Sequence, residues 1–94
     1  MRFAYIIMGC FDKEIDKASI HQNRAQIIGV KNIEEACAVA KELYADGVDC
    51  IELCGAFGEE GAKKVIEATK NKVPIGYVVH LDQQNDLFAK LFAK

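Results

Sequence analysis

The chain has 94 residues, of which 51% are hydrophobic and 28% charged, and its formal net charge is −2. This composition excludes a disordered or collagen-like chain and is ordinary for a soluble globular protein. The length predicts a single domain over residues 1–94. Because acidic and basic side chains nearly balance and form no basic run, we expect no nucleic-acid partner.

The sequence shows no clear export or membrane segment and no cysteine pattern typical of a disulfide or metal site. The apolar stretch FAYIIMG near the N-terminus is far shorter than the roughly 20 residues of a membrane span, and no signal-peptide pattern surrounds it. We therefore expect a cytoplasmic protein with no membrane partner, and free thiols rather than disulfides. Cys50 and Cys54 are spaced neither as a redox CxxC pair nor as half of a zinc ribbon, so no metal site is predicted.

The first elements are two strands and a helix. Residues 2–9 form an apolar run that predicts a buried strand, residues 10–23 are polar and predicted mostly as loop, and residues 24–30 predict a second strand. Within the polar segment, KASIH could add a short strand or a turn of helix. Asn32 is the predicted N-cap of a helix from Ile33 to Asp46.

The second half alternates strand and helix. A strand over residues 48–55 is followed by a glycine-rich turn and by a helix that ends before Pro74. Pro74 opens the apolar run PIGYVVHL, which predicts another strand. Asp82 or Asn85 can cap a last helix, whose apolar stripe consists of Leu87, Phe88, Leu91 and Phe92.

The resulting order is β-β-α-β-α-β-α. Strands and helices that alternate at this spacing form βαβ units, which require parallel strands joined by right-handed crossovers. We predict an α/β fold with a small, mainly parallel sheet of about four strands and three helices, either flavodoxin-like or half-barrel-like. The pattern leaves open the strand order and the relative direction of the first two strands.

Ligands of parallel α/β sheets bind outside the carboxyl ends of the strands, where loops and helix N-termini converge. Reactive side chains at the predicted ends are Cys10 after the first strand, Glu52 and Cys54 on the third, and His80 on the fourth. We therefore predict a small-molecule site there, with Glu52, His80 and Cys54 as catalytic candidates.

Glu52 is the most unusual of these residues because it interrupts an apolar strand. Side chains alternate along a strand, so Cys50, Glu52 and Cys54 share one face. A carboxylate there must be hydrogen-bonded, protonated or at a cavity, and these conditions suit a general acid or base. The alternative is a structural carboxylate bonded to a neighbouring backbone, to Tyr77 or to Arg24.

His80 and Cys54 each have two interpretations. His80 is either the partner of Glu52 or a half-buried imidazole without a catalytic role. Cys54 precedes a helix whose dipole could stabilise a thiolate, but free cysteine more often acts as a small apolar side chain. Glu52, Cys54 and His80 have suitable ligand types for zinc or iron, yet nothing in their spacing brings them to one point, and no cofactor is assigned.

The turn GAFGEEG adds candidate ligand-binding residues. The glycines at 55 and 58 could let backbone amides approach a ligand, and Cys10 lies at the same predicted edge. Glu59 and Glu60 add negative charge in the first helical turn, and this charge would repel an anionic ligand. Cys10, Gly55 and Gly58 are therefore predicted to contact a neutral or cationic ligand group, or no ligand at all, rather than a phosphate.

The stretch EEACAVAKELYADGVDCIELCGAFGEEGAKKVIEATKNKVPIGYVVH, with FAYIIMG and AQIIGV before it, resembles a family of small uncharacterised prokaryotic proteins defined only as a domain of unknown function. The likeness covers nearly the whole chain and is most specific at VDCIELCGAFGEEGAKKV and PIGYVVH. It implies a stand-alone single-domain protein of this length. No catalytic residue comes with it.

A second resemblance is local. GVDCIELCGAFGEEG is similar to a βα unit of phosphate-handling TIM barrels, especially the tryptophan synthase alpha chain, where a strand of the form LELG carries a catalytic glutamate. The resemblance implies that Glu52 is an acid or base. Three or four βα units cannot close an eight-stranded barrel, so it extends to this unit alone.

Three functions stay open at this point. The protein is an acid/base enzyme that uses Glu52, a ligand-binding or sensing module without chemistry, or an interaction protein in which Glu52 is structural. In the last case the C-terminal stripe docks on another chain. Because a small sheet leaves edges and faces to cover, we expect a homo-oligomer, a dimer or larger, in each case.

Overall fold

The computed structural model describes residues 1–93. The strands are β1 (Phe3–Met8), β2 (Lys17–Ile20), β3 (Ala25–Val30), β4 (Cys50–Leu53) and β5 (Ile75–Tyr77). The helices are α1 (Ile33–Ala45), α2 (Gly58–Ala68) and α3 (Asn85–Phe92), with short 3₁₀ helices at Gly55–Phe57 and Asp82–Gln84. Over residues 1–93, no helix combines the length and the apolar character that crossing a membrane requires.

The five strands form one sheet in the order β2-β3-β1-β4-β5. The pairs that join β3, β1, β4 and β5 are parallel, and β2 is antiparallel to β3. The predicted α/β class and mainly parallel sheet are confirmed. The predicted number of about four strands is wrong, because Lys17–Ile20, in the segment predicted mostly as loop, pairs along β3.

The connection between β1 and β3 determines which face of the sheet carries helices. The parallel strands have the order β3-β1-β4-β5, which is the order of the first four strands of a flavodoxin-like sheet. In a doubly wound fold helices cover both faces. Here β2, rather than a helix, lies between β1 and β3 in the chain. The helices α1 and α2 pack on each other and on a single face of the sheet.

Helix α1 begins as the sequence predicts. The Asn32 side-chain oxygen accepts a hydrogen bond from the Glu35 amide at 2.8 Å, and the Glu35 carboxylate accepts one from the Lys31 amide at 3.0 Å. The helix ends at Ala45, one residue before the predicted end, and Gly47 follows with a φ of +94°. The left-handed backbone that a glycine tolerates therefore turns the chain toward β4.

The core lies between the sheet and helices α1 and α2. Alternate strand residues point into it, and in β1 these are Ala4 and Ile6, both fully buried. Gly61 lets α2 approach α1, because a Cβ at position 61 would lie 2.9 Å from the Ile33 Cδ1 atom. The largest fully buried side chains are Ile6, Val30, Ile51, Leu53 and Val65.

Among residues 1–93, no helix lies on the other face of the sheet. Its side chains alternate with those of the core and are half-buried or exposed. We call this surface the open face, defined by Phe3, Tyr5, Ile7, Ala18, Ile20, Ala25, Ile27, Cys50 and Glu52. At one end of it, the ring of Phe11 lies over Gly29, where an added Cβ would be 2.6 Å from the Phe11 Cγ.

Helix α3 lies outside the core. None of its eight residues is buried, and Leu87 and Phe92 are 60% and 78% exposed. Its closest packing is on the 3₁₀ helix that precedes it. The apolar stripe that helical spacing predicts is therefore present, but most of it faces away from the protein.

Candidate functional site

The predicted site residues separate into several places in the structure. Glu52 is on the open face, Cys54 is buried at the end of β4, and His80 follows β5 on an exposed segment. Gly55 lies in the turn after β4. Cys10 is exposed just beyond β1, and Gly58 is the first residue of α2, with a φ of +62°. The carboxyl edge of the sheet thus holds all six, but not around one point.

The half-buried Glu52 lies between two neighbours in register, Tyr5 on β1 and Gly76 on β5. A Cβ added at Gly76 would lie 2.8 Å from the Glu52 Oε2 atom, so the absence of a side chain there makes room for the carboxylate. The Cys50 thiol donates a long hydrogen bond to Oε1 at 3.9 Å. Gly76 was not predicted as a site residue, although a glycine inside a strand is a known sign of close approach.

The alternative partners predicted for Glu52 are not used. Within residues 1–93, no hydrogen bond joins the Glu52 carboxylate to Tyr77 or to Arg24. The carboxylate instead remains half-exposed above the open face, and its described hydrogen bond is the one from Cys50. A structural role through those two partners is therefore not supported by the geometry.

Two proton donors flank Glu52. Burial raises the pKa of the Tyr5 hydroxyl, and electrostatic contributions from Cys54 and Glu52 raise it further. Burial likewise raises the pKa of the Cys50 thiol, with added contributions from the charges of Glu52 and Asp49. Both groups therefore keep their protons at neutral pH, and Cys50 is a poor nucleophile because the thiolate is the reactive form.

Cys54 is part of the core rather than of an open cleft. It is 8% exposed, its amide donates to the Ile6 carbonyl at 3.1 Å, and its sulfur accepts a hydrogen bond from the Met8 amide at 3.3 Å. Cys54 thus ties the ends of β4 and β1 together, at the place where the strand order reverses. A packed, bonded sulfur is more consistent with a structural role than with a nucleophile.

His80 makes its contacts with α3. The ring Nε2 is 2.9 Å from the Asn85 side-chain oxygen, and the ring stacks on Phe88 with a centroid distance of 4.0 Å and an interplanar angle of 9°. No hydrogen bond joins His80 to Glu52 in the part of the chain that the structure describes. The predicted Glu52–His80 pair is therefore not formed in this structure.

The stack of His80 and Phe88 forms one wall of a cavity outside the carboxyl ends of β4 and β5. The cavity has a volume of about 570 Å³, and we call it the strand-end cavity. Its walls are mainly apolar, with one imidazole. It is lined by Gly55, Ala56, Tyr77, Val78, Val79, His80, Phe88 and Phe92. Gly55 and His80 are the two predicted site residues that it includes.

The first turn of α2 is negatively charged, as the sequence indicates. Glu59 and Glu60 both lie within ion-pair distance of Lys63, at 3.1 Å and 3.6 Å. These carboxylates occupy the first turn of the helix, so they disfavour an anion there. Over residues 1–93, the structure contains no group of three or more His, Cys, Asp or Glu side chains that could hold a metal ion.

Comparison with known proteins gives one match. Residues 1–93 match the model of the Family of unknown function (DUF6506). No curated protein and no solved structure matches the chain.

Proposed function

The chain belongs to the DUF6506 family of unknown function, and we propose from its own geometry that it binds a small, neutral aromatic molecule in the strand-end cavity without chemical conversion. The observation that supports this proposal is the position of the cavity, directly outside the carboxyl ends of β4 and β5. Parallel α/β sheets bind their ligands at that edge.

The size and lining of the cavity agree with this function. Its volume of about 570 Å³ is within the usual range of small-molecule sites, about 300 to 1,000 Å³. Such sites combine mostly apolar walls with a few polar groups that orient the ligand. The Phe88 ring stacks on His80, and the ring centroids of Phe88 and Phe92 are 6.3 Å apart, so a flat aromatic ligand can stack next to these rings.

His80 supplies the polar contact. When Nε2 donates its proton to the Asn85 oxygen, the neutral imidazole keeps Nδ1 as a hydrogen-bond acceptor. A ligand hydroxyl or N–H group can donate to that atom. This favours a neutral donor group over an anion, in agreement with the charge of the nearby Glu59 and Glu60.

The test is a titration of ¹⁵N-labelled protein with a library of neutral aromatic fragments, followed by NMR. Binding in the cavity is expected to shift the amide signals of Val78, Val79 and His80. Ala56→Trp fills the cavity and should abolish these shifts, whereas Ala38→Trp, at an exposed alanine of α1, should leave them unchanged. Fragments that bind Ala56→Trp as well as the wild type would refute the proposal.

A second function is favoured by the protonated Tyr5 and Cys50 groups beside Glu52. In this proposal Glu52 accepts or returns a proton during catalysis, as the local likeness to the tryptophan synthase alpha chain implies. A substrate screen that detects turnover in the wild type but not in a folded Glu52→Gln variant would support it. Recovery of every bound fragment unchanged would favour binding without chemistry.

A further inference from the structure

We propose that the open face is the interface of a homodimer, in which the open face of a second copy packs against it as in a β-sandwich. This inference is independent of the strand-end cavity, because the cavity residues are not part of the open face.

The strands are apolar on both sides, although helices cover one side. In β1, Ala4 and Ile6 are buried under the helices, while Phe3, Tyr5 and Ile7 point the other way. Strands of parallel sheets have such continuous apolar runs because both faces are normally covered. The open face therefore has the composition of a buried surface and lacks a covering layer.

The exposed area of the chain is larger than that of a compact monomer. A monomeric protein of 10.4 kDa exposes about 5,400 Å² by the general relation between mass and surface. This chain exposes 6486 Å², an excess of about 1,100 Å². A standard protein interface buries about 800 Å² on each partner, so the excess, to which both the open face and the unpacked helix α3 contribute, is of the size that one side of a dimer buries.

No further helix of the described chain is available to cover the open face. Helix α3 has eight residues and is about 12 Å long, whereas five strands span about 19 Å across the sheet. Helix α3 also packs on the 3₁₀ helix beyond β5 rather than on the strands. Within residues 1–93, the open face is therefore left without a covering helix.

The chemistry of the open face matches a second copy. Glu52 is the one charged residue among its defining residues, so a nucleic acid or a strongly charged peptide would find no complementary charge. Aromatic and aliphatic side chains with few charges are typical of an interface core. A second open face has the same extent and the same apolar character, and two sheets can pack face to face about 10 Å apart. The two-fold arrangement is the commonest among oligomers.

The test compares the mass of the full chain and of three variants by sedimentation velocity at micromolar concentration. The wild type is expected at twice the chain mass. Ile27→Glu, at the 40% exposed centre of the open face, should halve that mass. Tyr44→Glu is the matched control, because Tyr44 is 43% exposed but lies on α1, and it should remain a dimer. Leu87→Glu tests the stripe of α3 and should also remain a dimer.

Two results would overturn the proposal. They are a monomeric wild type, or an Ile27→Glu variant that is folded and still dimeric, and in the second case dissociation by Leu87→Glu would place the interface on α3 instead. Circular dichroism shows whether Ile27→Glu is folded. If it is not, Ile20→Lys replaces it, because Ile20 is 69% exposed on the edge strand β2, and a folded but dimeric Ile20→Lys would equally contradict the proposal.

Discussion

The Glu52 carboxylate occupies the space that a side chain at position 76 would fill, with Oε2 only 2.8 Å from the Cβ that an alanine would place there. The two residues are paired in register on β4 and β5. A carboxylate in an apolar strand is thus accommodated by a glycine in the neighbouring strand, and the two positions act together.

Gly76→Ala is expected to move the carboxylate without unfolding the protein, because the clash involves the end of a flexible side chain. Once Glu52 moves away from Cys50, the pKa of the Cys50 thiol should fall, since the charge of Glu52 helps to raise it. The measurement is the rate of Cys50 alkylation as a function of pH. Gly55→Ala, away from Glu52, is the control. An unchanged Cys50 pKa in Gly76→Ala would contradict the expected displacement.

Alkaline pH is expected to destabilise the protein. The pKa of Cys50 is raised in the folded state from an ordinary value of 9.0, chiefly by burial, and the same holds for Cys37. Above pH 9 the unfolded chain therefore loses thiol protons that the folded chain keeps, so the free energy of unfolding falls as pH rises.

Urea unfolding between pH 8 and pH 10 measures this effect. The double variant Cys37→Ala with Cys50→Ala should show a shallower fall than the wild type. The variant Cys10→Ala, at an exposed thiol, should retain the wild-type slope. Equal slopes in all three proteins would rule out the two thiols as the cause.

Homodimerisation through the open face should protect Cys50 from alkylation. Cys50 belongs to that face, whereas Cys10 is exposed beyond β1. In the wild type, Cys50 is expected to react much more slowly than Cys10. In monomeric Ile27→Glu, the Cys50 rate should rise while the Cys10 rate stays constant. Mass spectrometry of peptides reports both rates, and equal Cys50 rates in the two proteins would argue against a buried face.

A glycine substitution in the turn between β2 and β3 is expected to stabilise the protein. Its residues His21, Gln22 and Asn23 have φ values of 49°, 55° and 65°, in the left-handed region. Glycine adopts this region without the steric cost that Gln22 carries, which is roughly 1–2 kcal/mol per residue before the entropy of the unfolded chain is subtracted. Gln22→Gly should therefore raise the free energy of unfolding by about 0.5 kcal/mol or more.

The control for this prediction is Gln83→Gly in the 3₁₀ helix, where φ is not positive and glycine brings no relief. Urea denaturation of both variants gives the comparison. A Gln22→Gly protein that is less stable than the wild type would show that the side chain, rather than the backbone, determines this turn.

The sequence predicts individual helices and strands better than it predicts how the strands pair or what covers each face of the sheet. Helix α1 is predictable because its cap, stripe and terminating glycine are all local. Strand β2 is not, because its hydrogen bonds are made to β3 and its own residues are exposed. The apolar runs predict strands covered on both faces, but they contain no information about where the second covering layer comes from.

The sequence indicates which edge of the sheet carries the candidate residues, but not how those residues group there. The carboxyl-end rule brings Glu52 and His80 to the same edge of the sheet, but it does not say which side of the edge each occupies. Glu52 points along the open face, while His80 follows β5 and stacks on Phe88. The cavity wall could not be predicted either, because it depends on where α3 lies in space. The cytoplasmic location stays a prediction.

Helix α3 forms a wall of the strand-end cavity although none of its residues is buried. A segment with so little packing opens at a low free energy, independently of the rest of the protein. The measured affinity for a ligand is then the intrinsic affinity multiplied by the fraction of molecules in which the wall is closed. Occupancy would accordingly be visible as slower amide hydrogen exchange in residues 85–92, and any partner that clamps this helix would tighten ligand binding without touching the ligand.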